Sequence, residues 1–459
     1  MSNVGTFFGL NIGRSALLTS SAAQDIVGNN IANADTDGYS VQSADIVAGP
    51  VTTTGLSGSF NSMGQFGNGV AMAKINRARD MYLDQSLRDA LSRQGTQNGA
   101  KAGLTEVQNN VNEPSSTGIS SAMTSFFNSL SDVQNNPEDT GIRATAVGKA
   151  QQLAQVFSST QAGLDSTRVQ MQAQVDNDVE NVNSLATQIA NLNVEINRAT
   201  ALGQQPNTLL DQRDVALDNL SKLANIKTSA QPDGSVNVSI GGTQIVSGST
   251  TNTVTLASLT ANGDLKDGSL AGDASALTDL ADYQTKMDDL ANEIMGQVNA
   301  VHKTGAGLDG TTGLDLFTGT DARTMSVNSV IVADPNKLAV GVPTTAGGKP
   351  ATGDASNILA MYNLKDKVIT AGPLSGQTMQ GFYTNMVTEL GQKVSNAANM
   401  SSASSASVKQ LTAQKASVSG VNLDEEMTNM IKYQRAYQAA AKIITTNADM
   451  LDMLIGMVK

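Results

Sequence analysis

Cysteine is absent from all 459 residues, which excludes a disulfide framework, thiol catalysis, cysteine-ligated zinc and iron–sulfur clusters. Tryptophan is absent too, and aromatics make up 3% of the chain, whereas large enzyme cores lean on aromatic burial. The single histidine, His302, has no second histidine or cysteine to form a metal or catalytic set with. It follows an apolar helical repeat, so it reads as a surface or helix-end residue near the last carbonyls. No basic run occurs and the net charge is −12, which argues against nucleic acid or an anionic membrane as a partner. No apolar run reaches the ~20 residues of a membrane span. Residues 1–30 lack the basic-then-apolar pattern of a secretory signal. The expectation is a soluble chain that, if exported, uses no cleaved signal.

Gln, Asn, Ser, Thr and Ala fill the space those absences leave, a composition suited to long helices in thin bundles. The length accommodates two to four compact domains. At the C-terminus, Leu423, Met430, Tyr437, Ile444, Leu451 and Val458 recur every seventh residue. Met427, Ala441, Ala448 and Ile455 complete the seam, with Gln434 its one polar member. A 3.5-residue repeat is what a coiled-coil helix requires. Asn422 reads as its N-cap, Asp424, Glu425 and Glu426 suit the positive end of the helix dipole, and Ser419-Gly420 breaks the preceding segment.

The N-terminal segment is a weaker companion: Leu10, Leu17, Val27 and Ile31 share roughly one face with Gly13, Ser20 and Gln24. Small residues allow close helix approach but bury little alone, so the first and last segments should meet. Ile431, Ile443, Met450, Leu454 and Met457 add an outer apolar face that a two-helix pair leaves in water. Burying one seam barely offsets the entropy of ordering such a helix, so the ends should become ordered on assembly.

Between the ends, helical periodicity covers 80–111, 119–133, 142–164, 164–198, 208–224, 275–302 and 378–398. Two stretches alternate as strands, 227–257 and 315–342, while 343–356 and 399–407 read as loops or linkers. The expected fold is mainly α with a β insertion: paired terminal coiled-coil helices, a central long-helix bundle and an outer β-rich domain. The corresponding boundaries are 1–40 plus 419–459 for the terminal core, 41–226 plus 258–310 plus 356–418 for the bundle, and 227–257 plus 311–355 for the β-rich domain.

Chemical motifs are scarce. "LLDQRD" at 209–214 offers Asp211 and Asp214, a conceivable carboxylate pair of a wall hydrolase. Asp211 turns away from the Leu210, Leu217 and Leu220 stripe, with Arg213 and Asp214 on its edges, an arrangement that suits ion pairs bordering a packed face. Asp334-Pro335 and "TGTD" at 318–321 lack a calcium-loop ligand pattern, and Gly305–Gly313 lacks the Lys-Ser/Thr of a phosphate loop. No catalytic residue, cofactor or metal is expected.

The stretch "NNIANADTDGYS", residues 29–40, resembles the N-terminal signature of the bacterial flagellar axial proteins, which build the rod, hook and hook-associated parts. Residues 419–458, "SGVNLDEEMTNMIKYQRAYQAAAKIITTNADMLDMLIGMV", look like the C-terminal signature of the same group. The "SGVNLDEE" opening is closer to the first hook–filament junction members than to the hook protein. "GNGV" at 67–70, "LLDQRD", "GSLAG" at 268–272 and "LFTGTDARTMSVNSVIVADP" at 316–335 extend the resemblance in family order. Members commonly carry Asn, Pro and Arg where this chain has Asp35, Asp37 and Val41, which leaves the turn to Gly38 alone.

The resemblance implies a tubular assembly with both termini in its inner helical core. It also implies copies of the chain as partners, the hook protein below, a second junction protein above, and an export chaperone on the C-terminal helix. Export would run through the flagellar type III apparatus. The residues expected to carry assembly are the seam Leu423, Met427, Met430, Tyr437, Ile444, Leu451, Ile455 and Val458, the face Leu10, Leu17, Val27 and Ile31, and the corner Asn33, Thr36, Gly38 and Tyr39. A hook or distal rod protein is the alternative within this class, and a secreted cell-wall hydrolase the alternative outside it.

Overall fold

A computed structural model describes residues 7–50, 67–343, 345 and 348–457. Its elements in chain order begin with α1 (Phe8–Ala32), β1 (Gln42–Ala48), β2 (Val70–Arg77), α2 (Met81–Val111) and α3 (Ile119–Asn135). They continue with α4 (Thr140–Ala201), α5 (Asn207–Leu223), β3 (Ile226–Ala230), β4 (Val236–Ile240), β5 (Thr243–Ser247) and β6 (Thr250–Thr251). Next come α6 (Leu256–Ala261), α7 (Ser269–His302), β7 (Phe317–Thr318), β8 (Ser326–Val327) and α8 (Ser329–Ala333). The chain closes with α9 (Ser356–Tyr362), α10 (Met379–Ser419) and α11 (Leu423–Met457). The fold is 66% helical, as the periodicity required.

The chain divides into two compact units, one of residues 1–92, 182–264 and 405–459, the other of 93–181 and 265–404. In the first, α1 and α11 pack together, β1 and β2 form an antiparallel hairpin, and β3-β4-β5-β6 form an antiparallel meander. The meander matches the strand reading of 227–257: Val236, Val238 and Ile240 alternate inward along β4, and Ile245 and Val246 follow. Asn193 of α4 bonds both polar groups of Val236, which fixes helix to sheet. The β1–β2 hairpin falls within 41–226, the range whose expected structure is helical bundle.

The second unit is built on one apolar core in which Phe126, Phe157, Leu164, Leu280, Met287 and Ile294 are fully enclosed. The strand reading of 315–342 fails over most of its length, where only β7 and β8, two residues each, pair before α8 begins. Its apolar residues Leu316, Phe317, Met325, Ile331, Leu338 and Val340 drop individually into this core rather than alternating across a sheet. The two β stretches therefore lie in different units and do not make one β-rich domain. Residues 399–407 are not a linker either. They continue α10, because Ser401 is buried and donates to Asn98 Oδ1 at 2.7 Å, and Ser402 bonds back to Ala398. Residues 142–198 form one unbroken helix, α4. Asp178 on this helix is buried and accepts from Gln174 Nε2 and Ser269 Oγ.

His302 ends α7 as expected but is not a surface residue: it is 1% exposed. Its Nδ1 lies 2.7 Å from the Leu314 carbonyl and its Nε2 accepts from the Ala339 amide at 3.0 Å. The ring is thus the neutral Nδ1–H tautomer, and burial pushes its pKa down.

Candidate assembly site at the terminal helix pair

Helix α1 stops at the corner, at Asn33, whose amide bonds back to the Asn29 and Asn30 carbonyls. Helix α11 starts as predicted, with Asn422 Oδ1 accepting from the Asp424 amide at 3.1 Å and Gly420 ending α10. Gly13 faces Ile444, Gly9 faces Asn447, and Asn30 bonds Glu426, so the two helices run antiparallel.

The contacting surface differs by one residue from the sequence reading. On α1 the buried members are Gly13, Thr19, Ser20, Ala23, Ile26, Val27 and Asn30, most of them small side chains. Leu10, Leu17 and Ile31 flank it, half-buried. On α11 the inward positions are Met430, Ile444 and Leu451, with Glu426, Tyr433, Ala440 and Asn447 completing the repeat. The set at Met427, Ala448 and Ile455 faces outward, and Leu423 and Tyr437 are exposed as well. Small residues on α1 explain the shift: a Cβ on Gly13 would sit 2.7 Å from Ile444 Cγ1, so the backbones approach too closely for a large residue at 440. Val458 lies outside the described residues.

The outer face keeps a long apolar exposure. Ile431 is 59% exposed, Met453 68%, Ile455 63% and Met457 75%, and Leu423, Met427, Ile443, Met450 and Leu454 are exposed with them. The single pair leaves all of these in water.

The corner at residues 33–41 joins the pair to the rest of its unit. Gly38 has φ +77°, and any side chain there would collide with Val215 Cγ2. Tyr39 donates its hydroxyl to Asn30 Oδ1 at 2.8 Å, while burial and the Asp211 and Glu426 carboxylates push its pKa up to about 12. Asn33 donates to the Asn29 carbonyl and Thr36 to Asn33 Oδ1, while Asp35 and Asp37 stay exposed. Val41 uses its backbone in place of a side-chain contact, its amide donating to the Ser419 carbonyl and its carbonyl accepting from Ala78.

Beneath the corner lies a charge network that the sequence disclosed only in part. Ser40 donates its hydroxyl to Asp211 at 2.8 Å, and Arg77 bridges Asp211 and Asp214 at 2.8 and 2.9 Å. Arg79 spans Asp84 and Asp214, Arg88 spans Asp214 and Asp218, and Lys415 reaches Asp218 at 2.7 Å. Burial opposes the charge on Asp214, but Arg79, Arg77 and Arg88 outweigh it and hold its carboxyl below the usual range. Arg213 joins none of these ion pairs. It donates to Asn193 Oδ1 and the Gly234 carbonyl, which corrects its place at the edge of an ion-paired face. The sequence marks Glu426 only as a first-turn acid and leaves Asn30, Arg77, Arg79, Arg88, Asp218 and Lys415 without a role, because their partners are far off in the chain. Buried Asn30 sits in the quoted signature and was its one available signal.

Among the described residues no group of three or more His, Asp or Glu is placed to hold a metal ion, and no helix is long and apolar enough to cross a membrane. Both carboxylates of "LLDQRD" are occupied by arginines. Asp334 and Asp321 accept from the amides of Asn336 and Thr324 in ordinary turns.

The flagellar hook-associated protein FlgK helical domain matches residues 104–317, the flagella basal body rod protein family 10–39, and the C-terminal family of the flagellar basal body rod FlgEFG proteins 413–457. Flagellar hook-associated protein 1 of Bacillus subtilis is 28% identical, covering 98% of both chains. Its Salmonella typhimurium counterpart is 27% identical over 97% of this chain and 99% of that protein. Over nearly its full length the chain is similar to flagellar hook-associated protein 1. The structure of the flagellar hook junction protein FlgK from Burkholderia pseudomallei shares its fold, with a TM-score of 0.64 and 18% identity over 73% of this chain and all of that one. The two rod families fall on α1 with its corner and on α11, and the hook-associated 1 match on the helices between.

Proposed function

We propose that the chain is a structural adaptor of the bacterial flagellum, joining hook to filament by polymerising through its terminal helices. The observation that carries this reading is the α1–α11 pair, folded at the corner yet exposing apolar side chains along its outer face. Neighbouring copies cover that face in the assembly, with the hook protein below and a second junction protein above. Before assembly a chaperone shields the outward side of α11, and export runs through the flagellar type III apparatus. The role is mechanical: the corner and its charge network hold the pair in a defined attitude to its own unit. A hook or distal rod identity is disfavoured by the match over 104–317, which belongs to the hook-associated helical domain. A wall hydrolase is disfavoured by the arginines that occupy Asp211 and Asp214.

A strain lacking the chain tests the reading. Hooks that persist without filaments, with flagellin shed into the medium, are expected; loss of the hook itself would overturn it.

A further inference from the structure

The exposed charges of the helix pair are not neutralised within it, and along α11 they fall in bands. Among the described residues, none of Arg14, Asp25, Asp424, Glu425, Lys432, Arg435, Lys442, Asp449 and Asp452 makes an ion pair within the chain, and all are exposed. Their order along α11 is acidic, basic, acidic: Asp424 and Glu425, then Lys432, Arg435 and Lys442, then Asp449 and Asp452. No opposite charges stand three or four residues apart within the helix, so the bands cannot pair internally.

Helix α1 reinforces the pattern. Contacts of Gly9 with Asn447 and of Asn30 with Glu426 place Arg14 level with Lys442. The corner acids Asp35 and Asp37 lie at the end occupied by Asp424 and Glu425, while Asp25 is the one acid within the basic stretch. The helix dipole accounts for acids in the first turn of α11, but it disfavours acids such as Asp452 toward the C-terminal end.

Two copies packed side by side at equal height would set like charges against like. Because the sequence of bands is the same read from either end, antiparallel packing at equal height does so too. Displacing one copy by about one band spacing, some 12–14 residues or roughly 20 Å of helix, opposes basic to acidic bands. The exposed apolar residues run the full length of α11, so they supply contact at any height and leave the choice of height to the charges.

We infer that the outer face of the helix pair docks on a second copy of this chain displaced axially by roughly 20 Å, the basic band of one against an acidic band of the other. This rests on the reading that the terminal helices polymerise, and it adds what sets their stagger.

The test uses the full-length chain in a bacterium deleted for its own copy, scoring the fraction of hooks that bear filaments. Export of each variant is checked by its amount in the medium, and its fold by thermal melting. Asp424→Lys with Glu425→Lys, and separately Lys432→Glu with Arg435→Glu, should each lower that fraction roughly tenfold; the two sets combined should restore most of it. Normal assembly by either set alone, or no restoration by the combination, overturns the inference. Ile455→Asp separates the two levels. If it blocks assembly while the charge variants assemble normally, only the stagger fails; if it too assembles normally, the helix-mediated reading fails with it.

Discussion

Asn30 donates its side-chain amide to Glu426 Oε2 at 2.8 Å, a buried bond between residues 396 apart in the chain. The same Asn30 also donates to the Gln42 carbonyl and accepts from the Gln42 amide and the Tyr39 hydroxyl, so one side chain ties α1, the corner, β1 and α11. Asn30→Ala strands several buried polar groups at once and should weaken this joint by about 1–3 kcal/mol. Glu426→Gln keeps an acceptor and should cost less. Hydrogen exchange of the amides at the start of α11 measures both; equal protection in wild type and Asn30→Ala would contradict the joint.

Gly38 tests the corner. Gly38→Ala meets two separate penalties, a left-handed backbone worth about 1–2 kcal/mol and a collision with Val215. In a Val215→Ala background the collision is relieved and only the backbone penalty should remain. Unfolding by urea reads the difference. If the penalty of Gly38→Ala is the same in both backgrounds, the packing of the corner on α5 is not as described.

Two buried groups in the second unit give opposite pH dependences. His302 has its pKa lowered by burial, so its contribution is present above the unfolded value near 6.5 and is lost as pH falls. Burial, with the Asp178 charge beside it, raises Asp273 to about 6, so its contribution is full at low pH and lost as pH rises through 6. The two act in opposite directions in wild type. Asp273→Asn should unmask a fall in melting temperature between about pH 7 and pH 5, and His302→Asn should leave a rise over the same window. A wild-type-like profile in both variants would refute the assignment.

The features legible in sequence were the local ones. Asn422 as a cap, Gly420 as a break and Gly38 as a turn each depend on residues within one helical turn, and the β3–β6 meander announces itself by alternation. What escaped depends on distant partners. Nothing near Arg88 in sequence says that it meets Asp214 and Asp218, and nothing near His302 says that residues 314 and 339 enclose it. The stretch 315–342 has strand-like composition, yet Phe317 finds its backbone partner in Asn299 of α7 as well as in a neighbouring strand.

The seam of α11 is where local and distant information part company, and a pair of equal substitutions exposes it. Apolarity alone selects Met427, Ala441, Ala448 and Ile455 as companions of the heptad residues, since Glu426 and Asn447 are polar and Ala440 is no more apolar than Ala441. Only the glycines of α1 make the other choice the inward one. Ala440 is 2% exposed with its carbonyl beneath Gly13, whereas Ala448 is exposed. Ala440→Leu should therefore overpack the pair and cost about 1–3 kcal/mol of its stability, separating α1 from α11 while the second unit melts as before. Ala448→Leu, the same change eight residues on, should leave the monomer unaltered. Hydrogen exchange of α1 amides in the two variants decides it, because the register read from apolarity alone predicts comparable losses for the two or the larger loss for Ala448→Leu.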